Sequence, residues 1–111
     1  HSAIGKMVGL SADQILDSRR GSSAEPKTDA VLRFARLLVD KRGLVSDADL
    51  AAVRSAGLDD GAIAEIVANV ALNIFTNYFN HVAETEIDFP RAEAIDDANE
   101  TCDAHQACSL N

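Results

Sequence analysis

The sequence predicts an all-α fold: a compact bundle of about four to five helices, one of them long. Three observations predict it. Apolar residues recur at steps of three and four through most of the first 90 positions. Helix stops and helix caps follow one another at short intervals, which is the grammar of helical hairpins. No segment shows the alternation of a half-buried strand.

The elements follow in order. Residues 1–10 (HSAIGKMVGL) carry Ala3, Ile4, Met7 and Val8 at helical spacing and read as the last turns of a helix that stops at Gly9. Ser11 with Gln14 three residues on is a capping-box pattern, opening a short helix to about Arg19. Residues 20–25 are a loop by composition. Pro26 suits the first position of the next helix, which runs to Arg42 with Val31, Phe34, Ala35, Leu38 and Val39 on one face. Gly43 closes it. Ser46 with Asp49 caps a helix to about Ala56, stopped by Gly57. Asp59 caps the longest helix, about 60–84, whose apolar stripe is Ile63, Ile66, Val67, Val70, Ala71, Ile74, Tyr78 and Val82. Such a helix is about 37 Å long, a spine or an oligomer contact in a small domain. The stretches Gly9-Leu10-Ser11, Gly43-Leu44 and Gly57-Leu58-Asp59 each predict a stop, a buried leucine and a new cap. The expected division is one helical domain over 1–90 and an acidic tail over 91–111, partly helical from Arg91 to Ala98.

Composition narrows the function. The 111 residues carry a formal charge of −8, with 47% apolar and 25% charged residues. That is an ordinary globular balance. Phosphate backbones and anionic bilayers are bound by Lys and Arg, so neither nucleic acid nor a membrane is an expected partner. No apolar run approaches the roughly 20 residues needed to span a bilayer, and no signal peptide opens the chain. The two cysteines, Cys102 and Cys108, lie in the tail and form no disulfide framework for the body, so a cytoplasmic, reducing compartment is expected. Trp is absent and aromatics are few, which leaves an Ala-, Leu-, Ile- and Val-filled core that gains by burying more surface in an oligomer.

Several residue groups are candidates for chemistry. Cys102, His105 and Cys108 make a Cys-x-x-His-x-x-Cys spacing: a redox pair, a partial metal site, or incidental thiols in a tail. Structural zinc takes four ligands, and only three are offered. Asn69, Asn73 and Asn77 fall at steps of four, followed by Asn80 and His81. Asn is a poor helix former, so Asn77, Asn80 and His81 are candidates for lining a pocket or an interface, or for a hydrogen-bond network between helices. Asp47, Asp49, Asp59, Asp60 and Glu65 sit in first helical turns, where capping and the helix dipole account for them. No Gly-rich phosphate loop, complete metal site or haem motif is visible, so no cofactor and no metal are implied.

The segments HSAIGKMVGLS, FARLLVDKRGLVSDADL and NIFTNYFNHV with the following DFP resemble the carboxymuconolactone decarboxylase-like superfamily, in its alkylhydroperoxidase D-type, peroxidase-related branch. The resemblance covers about residues 1–90. It implies an alkylhydroperoxidase D-like bundle that assembles as a trimer or hexamer. It also implies a thiol-dependent peroxidase-like oxidoreductase that reduces organic hydroperoxides with a dithiol protein or small thiol as reductant. The family's active site is a Cys-x-x-Cys-x-x-x-His motif continuing as an Ala/His-Ser/Thr-Ala-x-Gly-Lys phrase. His1-Ser2-Ala3-Ile4-Gly5-Lys6 matches that phrase from the histidine onward, which makes His1 the expected proton relay. The cysteine pair and the family's upstream glutamate would precede His1, and Cys102 and Cys108 do not align with that pair. In such a motif a helix N-terminus favours the thiolate, the second thiol resolves the sulfenic acid, and the histidine one turn on moves the proton. Two alternatives keep the fold: lactone decarboxylation, which needs no thiol pair, and a non-catalytic oligomeric or binding module.

Overall fold

A computed structural model describes residues 1–95. It contains five helices: α1 Ser2–Met7, α2 Ala12–Arg19, α3 Pro26–Asp40, α4 Asp47–Ser55 and α5 Asp60–Ala83. No strand occurs among the described residues. The chain is therefore all-helical with one long helix.

Local chemistry starts each of α2 to α5. The Ser11 and Ser46 hydroxyls accept from the backbone N–H of Gln14 and Asp49, and the side chains of those two residues reach back to the cap N–H groups. Both capping boxes are thus complete. Asp59 Oδ1 accepts from the Ala62 N–H at 2.8 Å. At α3 the cap is Glu25, in a stretch that composition assigns only to a loop. Its carboxylate accepts from the N–H groups of Lys27 and Thr28, with Pro26 at the first helical position.

The ends share one device. Beyond each helix an N–H bonds to the carbonyl five residues back: Leu10 to Gly5, Ser22 to Asp17, Gly43 to Leu38, Leu58 to Val53 and Thr85 to Asn80. The residue before each donor lies in the left-handed region, with Gly9 at φ 95° and Gly57 at φ 88°. This is the Schellman closure, and glycine adopts it without steric penalty. Arg42 (φ 52°) and Glu84 (φ 50°) close α3 and α5 without that freedom.

Packing is uneven. α3 lies against both α4 and α5, while α1 pairs with α2. Phe34, Leu38, Val53 and Leu58 form the buried core, with Val31, Val45, Leu50, Ala62, Ile63, Ile66 and Val70 packed around it. Of the three leucines that follow glycine stops, only Leu58 is buried; Leu10 is half-exposed and Leu44 is 84% exposed. The reason at Leu44 lies in the turn. Arg42 and Gly43 are both left-handed, and it is Val45, one residue later, that packs on the core. Residues 91–95 are not helical, contrary to the helical tendency expected from Arg91 on. They follow Pro90, and the Arg19 guanidinium donates to the Glu93 carbonyl there.

α5 buries none of its 24 residues fully. The radius of gyration is 15.2 Å, against about 13 Å for a compact domain of this length. Replacing Gly57 by Ala should destabilise the fold by about 1–2 kcal/mol, since the Cβ meets open space but the backbone is left-handed. Arg42→Gly should stabilise by up to about 1 kcal/mol. Urea midpoints that move in opposite directions for the two variants would confirm the closures; a shared direction would contradict them.

Candidate functional site

An open groove of about 1010 Å³ lies between α3 and α5. Val31, Ala35, Leu38, Val39, Leu58, Ile66, Val70 and Ile74 supply its apolar lining. Its polar lining comes from Arg36, Arg42 and Glu65, from Asn69, Asn73, Asn77 and Asn80, and from Tyr78 and His81. Asn77, Asn80 and His81 therefore share one wall of the groove. Asn69 and Asn73 point their amide nitrogens down their own helix: Nδ2 of Asn69 donates to the Glu65 carbonyl and Nδ2 of Asn73 to the Asn69 carbonyl, each at 2.8 Å. Each amide oxygen is left as an acceptor.

His1 is elsewhere. It is exposed at the start of α1, its side chain makes no capping bond, and it is not among the groove-lining residues. Its carbonyl accepts from the Gly5 N–H at 2.8 Å. Gly5 has a packing role, since a Cβ there would come within 3.3 Å of Ile15 on α2. The absence of a side chain at Gly5 is what lets α1 lie close on α2. Cys102, His105 and Cys108 lie outside the described residues. Among the described residues no group of three or more His, Cys, Asp or Glu side chains could hold a metal ion.

Three carboxylates titrate below their ordinary range, and each does so for a structural reason. Glu25 is held low by the Thr28 hydroxyl, then by the backbone N–H groups of Thr28 and Lys27. Asp29 is held low by the Ser23 N–H and by Arg33, which it pairs with along α3. Asp49 is held low by the Lys41 ammonium, then by the Ser46 N–H. All three fix helix starts; none lines the groove. Of the acidic residues that sequence alone could offer as acid–base pairs, Asp49 and Asp59 cap helices, Asp60 pairs with Arg54 and Glu65 lines the groove.

The outer side of α5 is the larger surprise. Val67, Leu72, Phe75, Phe79 and Val82 lie away from the groove and are 45–87% exposed. Phe75 and Phe79 stack on one another, with ring centroids 6.3 Å apart. Leu72, Phe75, Phe79 and Val82 repeat at steps of three and four, a second row whose Leu72, Phe75 and Phe79 the single-stripe reading passes over and whose Val82 it assigns to the other face. By length and composition α5 is also able to cross a membrane, at the margin, with a mean hydropathy of 1.2 over its most apolar window. That corrects the expectation that no segment approaches such a length: only Asp60 and Glu65 bring charge to the helix, and its asparagines, though polar, are uncharged.

No protein-family profile, curated protein or solved structure matches this chain.

The lowered carboxylates fix a pH dependence. Their folded-state values lie below the unfolded ones, so their contribution is fully present above the ordinary carboxylate range and is lost as pH falls through the folded values. Helicity followed by circular dichroism should hold at neutral pH and decline as the solution is taken below pH ~4. Asp49→Asn should weaken that acid dependence; an unaltered acid profile in this variant would contradict the assignment.

Proposed function

We propose that this domain works as a self-associating helical subunit whose contact is the outer face of α5. One observation carries the reading: a 24-residue helix, uncharged from Ile66 to Asn80, has no fully buried residue. A helix apolar around most of its circumference is normally covered. Phe75 and Phe79, 65% and 58% exposed, present roughly 250 Å² between them, taking about 200 Å² for each whole aromatic side chain. That is about a third of the ~800 Å² per partner in a stable interface before Leu72, Val67 and Val82 are counted. The expected trimer or hexamer belongs to this reading. A bilayer suits the helix less well, because Asn69, Asn73, Asn77, Asn80 and His81 would be costly to place in hydrocarbon.

A second reading concerns chemistry. The His1–Lys6 phrase favours a thiol-dependent, alkylhydroperoxidase D-type peroxidase in a reducing, cytoplasmic setting, with His1 exposed at its helix start to pass a proton. The thiolate attacks the hydroperoxide oxygen and becomes a sulfenic acid, the alkoxide leaves as alcohol on taking a proton, and the second thiol displaces water from the sulfenic acid to close a disulfide that a dithiol then reduces. Lactone decarboxylation has no observation of this kind in its favour.

Two results are expected. Phe75→Asp with Phe79→Asp should reduce the mass measured by light scattering to that of one chain, with helicity retained. An unchanged multimer in the double variant, or a wild-type monomer that floats with lipid vesicles, would overturn the assembly reading. Organic hydroperoxide reduction with dithiothreitol should appear when a Cys-x-x-Cys-x-x-x segment precedes His1, and fall about 10²-fold or more on His1→Ala. Turnover by the 111-residue chain alone would instead point to Cys102 and Cys108.

A further inference from the structure

The outer apolar face gives α5 a reason to be covered; it does not account for the asparagines on the other side. Asn69, Asn73, Asn77 and Asn80 run along the groove wall beside Ile66 and Val70, which pack on the core, and Ile74. A solvent-facing helix wall is ordinarily built from Glu, Lys and Arg, which are better helix formers than Asn. This wall carries four carboxamides and, among α5 carboxylates, only Glu65. A carboxamide is its own complement, one donor group and one acceptor on the same side chain, so two copies of such a wall satisfy each other across a two-fold axis. A buried asparagine that pairs only in one alignment fixes register and copy number at some cost in stability.

We infer that the α3–α5 groove receives α5 of a second copy, and that Asn73 and Asn77 set the register and the copy number of the assembly. The inference rests on the self-association proposed above. Charge supports a second copy as the occupant. The chain carries −8 overall, so two copies repel over most of their surface. The α5 wall is an exception: from Ile66 to Asn80 it carries no Asp, Glu, Lys or Arg, so two copies meet there without like charges facing each other. The two faces of α5 then divide the work: the outer aromatic row supplies apolar area, and the asparagine wall rejects misaligned pairings by leaving amides unpaired in them.

The test is the mass distribution of the full chain by sedimentation velocity, for wild type, Asn73→Leu with Asn77→Leu, and Asn73→Asp with Asn77→Asp. Leucine is a strong helix former, so the first variant keeps α5. Wild type should give one species. The leucine variant should stay associated, resist urea better and spread over two or more species. The aspartate variant should drop to a smaller species, because like charges would face each other across the groove, with helicity checked by circular dichroism. A leucine variant with the single wild-type mass, or an aspartate variant of unchanged mass, would overturn the inference while leaving the outer-face contact intact. A monomeric wild type would overturn both.

Discussion

The fold hangs on the contact of one face of α3 with the turn into α5. Phe34, 2% exposed, and Leu38 meet Val53 from α4 and Leu58 from the turn, and these four are the buried core of the described residues. Leu58 reaches that position because Gly57 takes a left-handed conformation and lets the Leu58 N–H close on the Val53 carbonyl. One closure therefore ends α4, seats a core side chain and aims Asp59 to start α5. α5 leaves the core after Val70, and from Leu72 to Ala83 it continues as a helix with its outer row exposed. Isolated helices of about 12–15 residues are marginal in water even with good helix formers, and this half contains three asparagines and a threonine. Tertiary or quaternary cover is the physical requirement that follows.

Much of this was legible in the sequence, and what was not has identifiable causes. Ser11, Ser46 and Asp59 announced their helices because a cap is a local bond between a side chain and an N–H two or three residues on. Gly9 and Gly57 announced their stops for the same kind of local reason. Glu25 went unannounced because glutamate is not a typical cap, although its carboxylate reaches two N–H groups here. Leu44 was expected inside and lies outside because two successive left-handed residues redirect the chain, and Arg42 gives no sign in sequence that it is one of them. Leu72, Phe75 and Phe79 escaped a single-stripe reading, and Val82 was placed in the wrong row, because α5 has two apolar rows. Which of them meets α3 depends on where α3 ends, which is a tertiary fact.

The candidate site divides in the same way. That Asn77, Asn80 and His81 lie along a groove follows from their spacing and from the presence of α3 beside them. That His1 stands apart from that groove is set by α1 packing on α2 through Gly5 rather than on α3. The HSAIGK phrase thus contains one residue with a packing role, Gly5, and one with an exposed, chemically capable side chain, His1. Chemistry at His1 needs a thiol brought to the start of α1, whereas assembly at α5 needs only the residues already present. The two roles occupy different parts of the molecule and can be tested separately.

Amide hydrogen exchange along α5, measured at high concentration and after serial dilution, tests the central claim most directly. If α5 is held by neighbouring copies, residues 72–80 are protected at high concentration and lose that protection on dilution, while the α3 amides around Phe34 and Leu38 remain slow. Exchange at residues 72–80 that is the same at every dilution would contradict the account, because the helix would then be standing without the cover that its sequence calls for.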